Sequence, residues 1–227
     1  MIFLLKIRRK TRFVLITALI VLIFYLIINS LFELNSTNFG SNERIVCEIT
    51  PEMRIKMSES LESVVNEILE ILDMTYFLCY NSLWGALKSN GPLKWHQNVD
   101  ICLLNEELER FEEAFLIRTF KRKGLSLSYQ SSDGVYLVSQ KGDKPIVKLY
   151  LFEQLNGNYR RVGWRNRLVP PDSCEPVHCF PTRLVSKPLP TERFMSMRLP
   201  VPREGIELQK YLFPDNWWLD LEPEECK

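Results

Sequence analysis

The sequence predicts an α+β domain, a mixed sheet with flanking helices, preceded by a single transmembrane helix. Three features carry this. Residues 13–34 form a nearly unbroken apolar run. Strand-like and helix-like patterns alternate between Tyr76 and Leu104. Leu125–Gln130 and Val135–Gln140 flank Ser131-Ser132-Asp133-Gly134, whose Asp-Gly suits a tight hairpin. Strands mixed with helices, with a hairpin at the edge, argue against a doubly wound parallel sheet. With 227 residues the chain has room for one anchor and one domain of about 180 residues, enough to bury a core.

The apolar run carries no charge before Glu33 and holds about the 20 residues a membrane helix needs. Lys6, Arg8, Arg9, Lys10 and Arg12 precede it, which places the N-terminus in the cytosol and the rest in a lumenal or external space. A cleaved signal peptide has a similar pattern, but this run exceeds the usual apolar length and no small-x-small site follows it. The expected organisation is a cytosolic arm at 1–12, an anchor at 13–34, a stem at 35–50 and a lumenal domain at 51–227. Removing the five basic residues of the arm from 29 leaves 24 against 28 acidic residues, about −4 for the lumenal part, which does not describe a nucleic-acid binder.

Thr50-Pro51 supplies an N-cap and a first-turn proline for a helix whose face is Met57, Leu61, Val64, Val65, Ile68 and Leu72. A buried strand follows at Tyr76–Tyr80, then a turn at Asn81-Ser82, a short helical piece at Leu83–Leu87 and a second strand at Val99–Leu104. Asn105 is placed to cap a second helix carrying Leu108, Phe111 and Phe115, ending at Lys121-Arg122-Lys123-Gly124. Pro145 opens a strand at 146–152. A strand around 180–189 and a helix at 203–212 complete the reading.

Of the six cysteines, Cys79 and Cys102 lie in core strands and read as buried thiols. Cys174 and Cys179 form the favoured pair, with Cys47 and Cys226 left to pair near the chain ends; spacing does not decide connectivity. Asn35-Ser36-Thr37 matches a glycosylation acceptor close to the membrane.

The order strand, small-residue turn, strand headed by polar residues suits a site where a turn cradles phosphate and acids at the next strand hold metal. Asn81-Ser82-Leu83-Trp84-Gly85-Ala86-Leu87-Lys88 resembles the Gly-Gly-Ser/Thr-Leu-Leu-Gly-Ala-x-Arg block of the LicD and fukutin-related family, and Lys94-Trp95-His96-Gln97-Asn98-Val99-Asp100 resembles its Pro-Trp-Asp-x-Asp-x-Asp. Phe180-Pro181-Thr182-Arg183 and the stretch from Leu199-Pro200-Val201-Pro202 to Trp217 resemble its later steps, so the similarity spans about 61–218. The resemblance implies a nucleotidyltransferase-like fold and a Golgi or endoplasmic-reticulum enzyme that moves phosphocholine, ribitol phosphate or a related group from a cytidine-diphosphate donor onto a glycan. It also implies that Ser82, Asn98, Asp100 and Lys148 converge, with Ser82, Gly85 and Lys88 on the donor.

Where the family has three carboxylates, this chain has His96, Asn98 and Asp100. These alternate residues share one face of a strand. The expected cofactor is magnesium or manganese at a weakened site, with Asp100 as the one charged ligand, Asn98 a neutral oxygen and His96 a softer donor. The family's later acid, in a Val-Asp-Ile-x-Pro-Phe pattern, matches Lys148. At about 6 Å and an effective dielectric near 20, a lysine repels a divalent ion by roughly 5 kcal/mol. Asp100, Asn98 and Lys148 are therefore the candidate catalytic group. One reading is a divergent transferase whose Lys148 pairs with phosphate. Another is an inactive homologue that binds a glycan, a nucleotide or Golgi glycosyltransferases. A third is a likeness of fold alone.

Arg160 and Arg161, with Arg165, Arg167, Tyr159 and Trp164 nearby, are candidates for lining an anionic donor pocket, because guanidinium groups match phosphate geometry. Cys174-x-x-x-His178-Cys179 has three zinc-capable side chains but no evident fourth, so zinc is not expected there. The Walker loop, dinucleotide fingerprint and nucleophile elbow are all missing from the sequence, which leaves ATPase, dehydrogenase and esterase readings unsupported.

Overall fold

The computed structural model describes residues 16–17, 19–25, 47–140, 143–144, 146–167, 179–219 and 222–226. The chain divides into two units, 1–45 and 46–227. In the first, residues 16–17 and 19–25 are helical with exposed apolar side chains. The remainder of the expected anchor, the arm, most of the stem and the Asn35 acceptor lie outside the described residues. Among the described residues no helix is long and apolar enough to cross a membrane.

The second unit opens with helix α1 (Pro51–Val64). Thr50 Oγ1 accepts from Met53 N at 3.2 Å and Pro51 takes the first turn, as the sequence requires. A π-helical turn, Val65–Leu69, continues it, and the face from Met57 to Ile68 is buried. The chain then alternates through β1 (Tyr76–Leu78), α2 (Tyr80–Ser89), β2 (Val99–Leu104), α3 (Asn105–Leu108), α4 (Glu113–Arg122), β3 (Leu125–Gln130), β4 (Val135–Gln140), β5 (Val147–Leu155), β6 (Asn158–Arg161), α5 (Trp164–Arg167) and β7 (Cys179–Pro181). A separate hairpin of β8 (Thr191–Phe194) and β9 (Met197–Pro200) precedes α6 (Ile206–Leu212).

The main sheet runs β1-β2-β5-β4-β3, with β6 on the far half of β5 and β7 on β6. Only the β2–β5 pair is parallel; the others are antiparallel, so the sheet is mixed. Its two faces do different jobs. Leu103 and Leu149 on one face pack with Ile68, Leu116 and Phe120 from the α1 and α4 side. The other face carries Asp100, Cys102, Lys148 and Tyr150 in register, and meets α2 through Tyr80.

Several expectations need correction. Strand β1 stops at Leu78 and the expected Asn81-Ser82 turn is already helix: Cys79 is extended and Tyr80 adopts φ +48°, so the chain reverses within one residue. The helix expected from Asn105 is two helices. Asn105 spends its amide on Glu109 Oε1 at 2.7 Å instead of capping, and the short α3 directs Glu107 onto Thr75 and Glu106 onto Gln154 N. The expected strand at 180–189 shrinks to β7, followed by a 3₁₀ turn at Thr182–Val185, because Pro181 cannot continue a ladder. The last helix begins at Ile206 rather than Arg203.

Cys79 and Cys102 are not thiols but a disulfide. Antiparallel pairing of β1 with β2 sets Phe77 opposite Cys102, which brings Cys79 diagonally over Cys102 at a Cα–Cα distance of 5.9 Å, within bridging reach. Cys47 and Cys226 are bridged across 179 residues. Cys179 is buried; Cys174 and His178, with the expected Cys174–Cys179 pair, lie outside the described residues.

Gly85 shows how closely α2 approaches the Gly91 turn: a Cβ there would stand 2.2 Å from the Gly91 carbonyl oxygen. Gly85→Ala should therefore destabilise the domain by about 2–4 kcal/mol, since backbone and not a movable side chain blocks the methyl. Urea unfolding of the full chain checks this, and a loss below about 1 kcal/mol would contradict the close approach.

Candidate functional site

The site forms where the start of α2 meets the head of β2. Both backbone groups of Asp100 are tied to α2: its N–H donates to Ser82 Oγ at 2.7 Å and its carbonyl accepts from Cys79 N at 3.2 Å. Ser82 is fully buried and Asp100 is 1% exposed. The fixed Asp100 carboxylate meets His96, whose Nε2 lies 2.8 Å from Oδ2. On the other side of the ring Nδ1 lies 3.3 Å from the Asn81 side-chain amide, while the Nε2–Oδ2 approach is close without hydrogen-bond geometry. Asp100 Oδ1 is buried with no hydrogen-bond partner among the described residues.

Lys148 is the direct partner of Asp100 across the parallel ladder, so their side chains leave the same face of adjacent strands. Two residues on, Tyr150 packs against Tyr80 with ring centroids 4.6 Å apart and planes tilted by 55°. The Arg161 guanidinium lies 4.6 Å over the Tyr150 ring, 3.4 Å from Tyr80 Oη, and donates to the Asp133 carbonyl at 2.9 Å. Each face contact of this kind contributes roughly 0.5–2 kcal/mol. Behind Tyr80, Gln209 Nε2 donates to its carbonyl at 3.1 Å and Phe213 meets its ring edge-on at 6.1 Å.

The structure thus gathers Ser82, His96, Asp100, Lys148 and Arg161, with Asn98 buried one residue before β2. Other candidates are placed elsewhere. Gly85 is packed against the Gly91 turn. Lys88 is exposed in the last turn of α2, at the far end from Ser82. Arg160 alternates to the opposite face from Arg161 and is bonded to the Asn166 carbonyl. Tyr80, Asn81, Tyr150 and Gln209 join the site without having been singled out. Tyr150 lay open to prediction two residues beyond Lys148; Gln209, a helical residue over a hundred positions away, carried no signal.

For magnesium or manganese, which proteins hold through one or two carboxylates together with waters and substrate phosphates, the cluster supplies one carboxylate, Asp100, with His96 Nε2 2.8 Å from its Oδ2 and Lys148 as its ladder partner, a poor donor set. His96 and Asp100 also fall short of a zinc set, and no group of three His, Cys, Asp or Glu side chains converges among the described residues. What the cluster offers is a carboxylate–imidazole pair facing two cations.

Burial pushes the Tyr80 hydroxyl up to about 12, against the pull of Arg161. Burial first, and then the Asp100 carboxylate, holds Tyr150 well above its usual 10. Both stay protonated and can donate. A phenol raised in the folded state stabilises fully below pH 10, and the contribution is lost as pH climbs toward 12. Stability by urea unfolding should stay level through pH 9 and then fall, with Tyr80 accounting for about 2 kcal/mol by pH 12. Tyr80→Phe should remove that part of the slope, and an unchanged slope would show Tyr80 is not desolvated.

Comparison with known proteins bears on the same residues. The chain matches none of the curated proteins. The LicD/FKTN/FKRP nucleotidyltransferase domain matches residues 73–204, from just before β1 to just past β9, and so takes in the whole sheet with Ser82, Asp100, Lys148 and Arg161. That match covers more than half of the chain, which therefore belongs to the LicD family and carries its transferase-type domain.

Proposed function

We propose that the domain transfers a phosphate-linked group, of phosphocholine or alditol-phosphate type, from a cytidine-diphosphate donor to a glycan, with donor charge met by Arg161 and Lys148 instead of metal. The observation that carries this reading is that Lys148 is the direct ladder partner of Asp100, with Arg161 over Tyr150 on the same face of the sheet. Transition-state charge on phosphate oxygens must still be neutralised, and guanidinium and ammonium groups supply that directly. In the step, an acceptor hydroxyl oxygen bonds to phosphorus, the bond from phosphorus to the nucleotide oxygen breaks, and the acceptor proton passes to His96 Nδ1 in place of its contact with Asn81. Disulfides at Cys47–Cys226 and Cys79–Cys102 support an oxidising, lumenal setting for a type II membrane protein of the Golgi or endoplasmic reticulum.

One observation favours a second reading, a binding module without turnover. By the resemblance drawn from the sequence, Tyr80 and Asn81 stand where the motif has its two glycines, and the Tyr80 ring packs against Tyr150 there. Calorimetry on the detergent-solubilised full chain separates these readings. Cytidine diphosphate should bind with the same affinity, within about twofold, in EDTA and in magnesium or manganese, and Arg161→Ala should weaken it at least about tenfold. A strict metal requirement would overturn the metal-free site. Binding without transfer to any glycan would support the module.

A further inference from the structure

The sheet ends at β3, and the outer edge of that strand is open. Among the described residues no strand pairs with the side of β3 that faces away from β4. A groove of about 490 Å³ runs there, lined by Ile117 and Lys121 of α4, Gly124 of the connecting turn and residues 125–127 of β3. Consecutive strand residues line one groove along the strand's edge, because their side chains alternate between faces. We infer that this edge is an interface between two copies of the chain: β3 pairs antiparallel with β3 of the second copy about a two-fold axis, and the two α4 helices lie side by side over the joint.

Backbone direction is the first reason. The Val138 carbonyl accepts from Ile146 N at 2.8 Å, so Val138 turns its backbone groups toward β5. Its neighbour across the β3–β4 ladder, Leu127, therefore turns its own N–H and C=O outward, as do Leu125 and Tyr129 at alternate positions. Native edges of this kind are blunted by charge, proline or a bulge. The strand Leu125–Gln130, LSLSYQ, is uncharged, has no proline and meets β4 one for one along its whole length. An antiparallel copy centred on Leu127 sets Leu127 against itself and Leu125 against Tyr129, which gives every one of those outward groups a partner.

Charge on the neighbouring helix is the second reason. Glu113, Ile117 and Lys121 recur at a spacing of four on one stripe of α4, and all three are exposed. Lys121 lies by Leu125, and Glu113 lies near Tyr129, whose phenol is raised by burial first and also by this carboxylate. With about 1.5 Å per helical residue and about 3.3 Å per strand residue, Ile117 and Leu127 both stand roughly 10 Å from the turn between α4 and β3. One two-fold axis therefore passes beside both. About it, Ile117, 40% exposed in a single copy, meets its equivalent, and Glu113 of each copy faces Lys121 of the other. Neither charge has an ion-pair partner among the described residues. A parallel neighbour would set Glu113 against Glu113 and Lys121 against Lys121, so the acid, apolar, base order selects an antiparallel one. A second copy matches strand and helix at once.

The test is light scattering on a dilution series of the detergent-solubilised full chain, with the micelle mass subtracted, run beside amide hydrogen exchange. The chain should be a dimer in which the amides of Leu125, Leu127 and Tyr129 are protected. Lys121→Glu, a surface change that sets acid against acid at both ends of the joint, should raise the dimer Kd at least about tenfold and expose those amides. Adding Glu113→Lys should restore both dimer and protection, because the pairs are rebuilt with their signs exchanged. A chain that is monomeric throughout overturns the inference. So does a dimer that Lys121→Glu leaves unchanged, since it is then held by another surface, or a loss that the double variant does not recover. A monomer with the same amides protected shows that a segment of its own chain covers the edge, and overturns it too.

Discussion

The hydrogen bond from Asp100 N to Ser82 Oγ is the contact on which the site depends. A strand's second residue normally spends its N–H on a neighbouring strand, but here β1 has ended and α2 has taken its place. Ser82 must therefore be both helical and buried, and the abrupt reversal at Tyr80 is what delivers it there. The Cys79–Cys102 disulfide ties the same corner covalently, two residues from Asp100 on one strand and at the residue before α2 on the other. Helix and strand cannot slide past each other without breaking this corner, so the Asp100 carboxylate is held at one depth and one angle.

Charge follows from that fixed position. A buried carboxylate without a partner costs several kcal/mol, so its neighbours are constrained to answer it. Here the His96 imidazole lies 2.8 Å from Oδ2, Lys148 is the direct ladder partner of Asp100, and Arg161 stands two strands away over Tyr150.

Much of this was legible in the sequence because the relevant signals are local. Thr50-Pro51, the Asp-Gly hairpin turn, the boundaries of β2 and the Lys148 substitution each sit within a few residues of what they determine. The disulfide was misread for the opposite reason. Whether two buried cysteines bridge depends on strand register, and the pairing of β1 with β2 leaves no mark on either segment. Splitting of the Asn105 helix was hidden likewise, since it serves Thr75 and Gln154, residues distant along the chain. Gln209 and Phe213 reach the site only through the packing of α6 on α2, which no periodicity encodes.

Tyr80 joins these strands of reasoning. A bulky residue at φ +48° costs on the order of 1–2 kcal/mol, and glycine would remove that cost. The cost is borne because the side chain is used. Its ring packs at a tilt against Tyr150, its hydroxyl meets Arg161, its ring meets Phe213 edge-on and its carbonyl holds Gln209 in place. Glycine would relieve the backbone and lose the ring that lies between Arg161 and Tyr150 on one side and Phe213 on the other, so a single strained tyrosine joins the sheet to α6 at the start of α2.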